Sequence, residues 1–187
     1  STTAGDFGVS SGDDGSNTYE GFGSDNLLDY SAYDSTRTIE VNLHSSNTVT
    51  KKLNATNFGT DTISGISNIT GGAGADTIIG SSAQNNSLKG GQGDDTISGG
   101  GGQNYLDGGA GLGDYVSYAY LESGKHVTVD LQASTANVDV NNFDELHGFE
   151  NVIGSSGADT LKGNNSDNIL IGGNSNDTFF AQGGVNT

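Results

Sequence analysis

The sequence predicts an all-β fold in which short parallel strands wind into flattened coils. Three observations carry this. A nine-residue beat places glycine and aspartate at fixed positions, an apolar residue recurs at one place in each beat, and apolar content is too low for a thick core. The clearest copies are Gly71-Gly72-Ala73-Gly74-Ala75-Asp76-Thr77-Ile78-Ile79 and Gly90-Gly91-Gln92-Gly93-Asp94-Asp95-Thr96-Ile97-Ser98. Residues 154–162 (GSSGADTLK) and 172–180 (GGNSNDTFF) repeat the beat.

Each beat reads as a six-residue turn and a three-residue strand. A turn that wraps a cation must aim several carbonyls at one spot, and glycine at positions one, two and four is expected to supply the backbone angles. A hard cation such as Ca²⁺ takes oxygen ligands, and the position-six carboxylate adds oxygen and charge. Position eight is apolar (Ile78, Ile97, Leu106, Leu161, Leu170, Phe179) and is expected to face inward as the middle of a short strand. Threonine at position seven (Thr77, Thr96, Thr160, Thr178) suits an exposed strand site.

Two beats make one coil, so alternate turns stack on the same edge. The turns beginning at 71, 90 and 108 are expected on one edge and those at 80 and 99 on the other. Asp76 with Asp95, and Asp95 with Asp114, are then placed to share ions, and Asp159 with Asp177 forms a similar pair. Several turns depart from the pattern. Residues 80–89 (GSSAQNNSLK) contain no acid, Asn104 replaces the aspartate, Asp114 comes one place late, and the turn at 163 carries Asp167-Asn168. The edge holding 80 and 99 is expected to bind calcium poorly.

The pattern GGxGxDxUx resembles the calcium-binding RTX repeat of secreted bacterial proteins, mainly over residues 71–116 and 154–180. The resemblance implies a right-handed parallel β-roll, here as two tandem units with extra flanking β-strands. It implies several Ca²⁺ ions held by backbone carbonyls of positions one and three in one turn and two and four in the next, together with the aspartates. On this chain those are Gly71, Ala73 and Asp76; Gly90, Gly91, Gln92, Gly93 and Asp95; Gly109, Gly111 and Asp114; Gly154, Ser156 and Asp159; and Gly173, Ser175 and Asp177. It further implies a chain that stays unfolded for type I secretion and folds on external calcium.

The 187 residues include 32 glycines and no proline, and 31% are apolar against roughly 45–50% in ordinary globular chains. A thin ladder of stacked Ile, Leu and Phe fits that composition. Net charge is −17, from 23 acidic and 6 basic residues. Facing carboxylates repel without cations, so the apo chain is expected to be largely disordered, and roughly four to six ions would remove about half of the charge or more. Such acidity argues against nucleic acid or an anionic membrane as partner. There is no cysteine, and no apolar run approaches a membrane span of about 18 residues. No C-terminal secretion signal is evident, and the chain reads as a piece of something longer.

A longer repeat overlies the short one. Residues 63–71 (ISGISNITG) match 146–154 (LHGFENVIG), 38–43 (TIEVNL) match 126–131 (HVTVDL), and 29–33 (DYSAY) echo 117–120 (SYAY). This divides the chain into units over 1–89 and 90–187. The alternating strands are expected to pack against the side of the roll, with 44–57 and 132–142 as polar surface loops. Asp13, Asp14 and Asp25 are further candidate ligands in weak N-terminal turns.

No HExxH or GxSxG motif is present, and the three histidines (His44, His126, His147) are scattered. Asp144-Glu145 is read as a solvated loop. Tyr30, Tyr33, Tyr115, Tyr118 and Tyr120 are read as packing residues that close the roll, with sugar stacking as the alternative. The segment is thus expected to be no enzyme. It is read as a calcium-folded structural module of a secreted or cell-surface protein, such as an adhesin, surface layer or filament, with self-association as a candidate property. The alternative is a non-catalytic accessory or polysaccharide-binding module of a secreted protease, lipase, alginate epimerase or toxin.

Overall fold

The computed structural model describes residues 7–8, 15–22, 25–121, 123–139 and 142–187, and their regular structure is all β-strand. The strands in chain order begin with β1 (Phe7–Gly8), β2 (Thr18–Glu20), β3 (Leu27–Asp29), β4 (Arg37–Asn42), β5 (Thr48–Leu53), β6 (Thr56–Ser64) and β7 (Asn68–Thr70). They continue with β8 (Thr77–Ile79), β9 (Ser87–Gln92), β10 (Thr96–Ser98), β11 (Tyr105–Ala110), β12 (Tyr115–Ser117) and β13 (Thr128–Asp130). The last are β14 (Thr135–Asp139), β15 (Asn142–His147), β16 (Asn151–Ile153), β17 (Thr160–Lys162), β18 (Leu170–Ile171) and β19 (Thr178–Phe180). One sheet runs β1-β3-β7-β9-β11-β15-β14-β13-β17-β19, and the other β18-β16-β12-β10-β8-β4-β5-β6-β2.

From β7 to β12 each strand lies in the sheet opposite its predecessor and pairs in parallel with the strand two places on, as a parallel β-roll requires. The pairing runs in register, Thr77 to Thr96 to Tyr115 to Asn151, so the apolar residues that follow form a file: Ile78, Ile97, Val116 and Val152. Leu28, Ile69, Leu88, Leu106 and Leu146 form the facing file. All nine are essentially buried, and each contributes about 1.5–3 kcal/mol by leaving water. Strand β9 spans residues 87–92 and is paired on both sides, so the two sequence units share one continuous ladder. Phe179 departs from the inward expectation. It is 49% exposed on β19, the outermost described strand of its sheet.

The alternating strands do not lie against the side of the roll. They are rungs of it. Strand β4 pairs in parallel with β8, then β5 and β6 follow antiparallel, and β6 returns to parallel pairing with β2. Strands β13, β14 and β15 do the same in the other sheet, between β17 and β11. The physical reason is the single apolar face. Ile39, Val41 and Leu43, like Val127, Val129 and Leu131, point into the same thin core as a nonapeptide strand. The segments read as loops, 44–57 and 132–142, hold β5 and β14, whose inward residues Val49, Lys51, Ala136 and Val138 are hidden among polar neighbours.

Both meanders close on a tyrosine. Tyr30 Oη donates to Asp61 Oδ2 at 2.7 Å, and Tyr118 Oη donates to Asp144 Oδ2 at 2.9 Å. Tyr30, Tyr33 and Tyr118 are buried, in keeping with the packing reading, whereas Tyr120 is 52% exposed. Leu121, whose N–H bonds the Tyr118 carbonyl, takes the place of Tyr33, whose N–H bonds that of Tyr30. Asp144 is buried on β15 rather than solvated in a loop. Asp61 also meets the Lys51 ammonium at 2.9 Å, with both side chains fully buried. Asp144 has no such ammonium and instead accepts from Asn104 Nδ2 at 2.8 Å.

Removing one member of a buried pair strands the other charge. Lys51→Met is expected to cost about 3–5 kcal/mol in denaturant unfolding at saturating calcium. Adding Asp61→Asn should recover part of that loss. An unchanged midpoint in the single variant would show that the pair does not hold the first meander.

Candidate metal centre

The position-six side chains form an axial column along each edge. Asp95 Oδ1 accepts the backbone N–H of Asp76 at 2.7 Å, and Asp114 Oδ1 accepts that of Asp95 at 2.7 Å. Asp76 Oδ1 starts the series by accepting the N–H of Ile39 at 2.8 Å. Each side chain thus reaches to the preceding coil and supplies an acceptor for a buried N–H. The turns at 71, 90 and 108 do stack on one edge, with Gln92 N–H on the Gly72 carbonyl at 2.9 Å and Gly93 N–H on that of Ala110 at 3.1 Å. Gly71, Ala73, Asp76, Gly90, Gly91, Gln92, Gly93, Asp95, Gly109, Gly111 and Asp114 all lie along this edge.

The glycines serve two purposes, which corrects the single reason expected from the sequence. Gly91 and Gly93 have φ of +118° and +99°, the left-handed region that favours glycine. Gly90 does not. A Cβ there would collide with the Asp95 carboxylate folded over its own turn. Position one is glycine for space, because position six occupies it.

Asp95 and Asp114 are fully buried, and the second oxygen of each, Oδ2, has no hydrogen-bond partner. Burial pushes the Asp76 carboxyl up to about 6. Asp95 goes up to about 8, by burial first and then by the charges of Asp76, Asp114 and Asp94. Asp114 is raised for the same leading reason. Orphaned, mutually repelling oxygens beside turns rich in backbone carbonyls fit a hard divalent cation. Among the described residues no three acidic or imidazole side chains converge, so carbonyls would have to supply most of the ligands.

Gly154, Ser156, Asp159, Gly173, Ser175 and Asp177 gather on the opposite edge. Asp159 Oδ1 accepts from Val127 N at 2.7 Å, and Asp177 Oδ1 accepts from Asp159 N at 2.9 Å. Ser175, at φ +73°, donates Oγ to the Ser156 carbonyl at 3.0 Å. Asp95 and Asp114 face Asn86 and Asn104 across the coil, and Asp159 and Asp177 face Asn168 and Asn186. Asn104 Oδ1 accepts from Asn86 N at 2.8 Å, and Asn186 Oδ1 accepts from Asn168 N at 3.2 Å. The asparagine amides then donate to backbone carbonyls, Asn86 to Ser67 at 2.6 Å and Asn168 to Glu150 at 2.7 Å. These edges are satisfied without an ion.

The N-terminal candidates fare differently. Asp13 and Asp14 lie outside the described residues. Asp25 is exposed, while its neighbour Asn26 is buried and donates Nδ2 to the Gly65 carbonyl at 2.9 Å. Asp61 and Asp144, which the sequence reading did not place in the columns, belong there: Asp61 Oδ1 accepts from Asn17 N at 2.9 Å and Asp144 Oδ1 from Asn104 N at 3.0 Å. The signal was Asp61-Thr62-Ile63, the same three residue types as Asp76-Thr77-Ile78.

Compared with known families, the chain matches the RTX calcium-binding nonapeptide repeat (four copies) over residues 56–83, 81–112 and 153–187. No curated protein matches it. The chain therefore carries RTX repeats, which bind calcium, and it is a calcium-binding module.

The raised carboxyls fix the sign of the pH dependence without divalent cations. Their folded forms hold protons more tightly than the unfolded chain, whose aspartates titrate near about 4. The stability these groups contribute is therefore fully present below about pH 4 and is lost as pH rises through the folded values of about 6 for Asp76 and about 8 for Asp95. In chelator, far-UV circular dichroism should show more β-structure at about pH 5 than at about pH 8. Equal β-content at both would contradict the burial of these groups.

Proposed function

From a chain built on RTX calcium-binding repeats, we propose a calcium-folded, non-catalytic structural module of a secreted or cell-surface protein. The observation that carries this is the pair of buried carboxylate oxygens without donors, Asp95 Oδ2 and Asp114 Oδ2. A chain with net charge −17 and a core one side chain deep per strand has little else with which to offset them. Calcium, when bound, neutralises these carboxylates and fills the carbonyl-lined turns. Extracellular modules bind it with dissociation constants of about 10⁻⁴–10⁻³ M, far above cytosolic levels, which supports folding after export.

Exposed apolar side chains on the outer strands support a role in assembly. One sheet ends in β1 and β19 and the other in β2 and β18, each paired in parallel with its inner neighbour. Exposed Ile171, Phe179 and Phe180 lie on the β18 and β19 edges. These exposed apolar side chains suit self-association, while the outer side of β18 is taken by the Asn168–Asn186 bridge and by Leu170 N–H on the Thr187 carbonyl.

A calcium titration followed by far-UV circular dichroism, with magnesium as control, is expected to show a cooperative coil-to-β transition near about millimolar calcium at neutral pH. Light scattering should grow at the same concentration if the ends associate, and a constant monomer would leave a spacer or accessory module. A chain already fully β-rich in chelator at neutral pH would overturn the folding switch. Asp95→Ala should raise the calcium midpoint several-fold, because that column residue lies between two others. Asn104→Ala should lower stability and leave the midpoint almost unchanged. Equal shifts in calcium affinity would overturn the assignment of the acidic edge.

A further inference from the structure

The acidic column does not stop at Asp114. Asn151 pairs with Tyr115 as Tyr115 pairs with Thr96, so the residues just before them, Asp95, Asp114 and Glu150, stand in one column. The hydrogen bonds follow the same register. Glu150 Oε2 accepts the Asp114 N–H at 3.0 Å, as Asp114 Oδ1 accepts that of Asp95. The Asp114 carbonyl accepts the Asn151 N–H at 2.9 Å, as the Asp95 carbonyl accepts that of Tyr115 at 2.8 Å.

Glu150 comes from outside the repeats. It ends the short link between β15 and β16, in the stretch between the matches over 81–112 and 153–187. That link is much shorter than a nonapeptide turn, and the extra methylene of glutamate lets its carboxylate reach the position that an aspartate takes elsewhere. Asp114 is fully buried with Oδ2 unpartnered, and Glu150 is half-buried beside it. Burial, and then the charge of Asp114, raises the Glu150 carboxyl above its ordinary range. On the far side the column turns neutral, because the Glu150 carbonyl accepts from Asn168 Nδ2.

We propose that Asp114 and Glu150 hold a further divalent cation, calcium in an extracellular setting, where the first array of repeats meets the second meander. The proposal rests on the calcium reading above. The site ties the non-repeat link after β15 to the last nonapeptide of the array, so that closing the meander depends on the same ion that closes the column.

The test counts ions on the intact chain. Glu150→Gln keeps the side-chain length and an acceptor for the Asp114 N–H but removes the charge. Native mass spectrometry in calcium is expected to find one fewer ion per chain than in the wild type. Glu145→Gln, an exposed glutamate on β15, should leave the count unchanged. Glu150→Asp, which keeps the charge with a shorter reach, should retain the ion with about tenfold weaker affinity by calorimetry, and it covers the case in which the glutamine variant does not fold. Hydrogen exchange of residues 142–153 at limiting calcium should rise in Glu150→Gln. Wild-type stoichiometry and affinity in both Glu150 variants would overturn the proposal while leaving the calcium module intact. A wild-type chain that bound no calcium would overturn the reading beneath it as well.

Discussion

The stack depends on a hydrogen bond that runs between coils. The N–H at position six is buried, and the position-six side chain of the next coil on the same edge supplies its acceptor. That geometry admits few residues. In a full-length turn the acceptor sits on the carbon beyond Cβ and arrives at 2.7–3.2 Å, which selects aspartate or asparagine. The residue beneath it must leave room, which selects glycine at position one. The nonapeptide signature is therefore as much a rule about coil-to-coil hydrogen bonding as about ion ligation.

Because aspartate and asparagine make the same bond, the chain sets the charge of an edge without changing its shape. Asp76, Asp95 and Asp114 run along one edge while Asn86 and Asn104 run along the other. Beyond the second meander the acids Asp159 and Asp177 have changed edge, and Asn168 and Asn186 oppose them. The repeat aspartates thus never face each other across a coil, and where Asp144 stands opposite Glu150 across β15 its carboxylate is held by Tyr118 and Asn104. Where an ammonium is available the pattern varies again: Lys51 beside Asp61 is a cation supplied by the chain itself. The Lys51–Asp61 distance of 2.9 Å and the full burial of both groups leave no role there for an ion from solution.

Periodicity made the roll, its inward file and the stacking of alternate turns legible. Each follows from residue spacing alone, because the strands are too short for any other registry to bury Ile78 and Ile97. The meanders were legible as a duplication but not as rungs. A half-buried strand shows the same alternation whether it lies in the sheet or against it, and only pairing partners distinguish the two. Lys51 and Thr135 made β5 and β14 look like polar loops, because a buried lysine reads as exposed until its partner, ten residues on, is placed. Glu150 was invisible for a related reason. It does in a three-residue link what the repeat does with aspartate in six, and no pattern of fixed spacing includes it.

Each acidic column begins on a meander. Asp76 bonds the N–H of Ile39 and Asp159 that of Val127, both apolar residues at the entry to a first meander strand. A column of carboxylates needs a neutral first rung, since a carboxylate there would add repulsion before any coil had stacked upon it. A three-residue strand presents one inward side chain and has little cohesion of its own, whereas a meander buries Ile39, Val41, Leu43, Val49 and Ile63 together and anchors Tyr30 on Asp61. The meanders are thus the parts of the roll that conventional packing holds, and the acidic turns are laid against them in sequence. The alternation of the two along the chain follows from that division of labour, with ordinary burial fixing where a column starts and the charge of its carboxylates fixing what must accompany its growth.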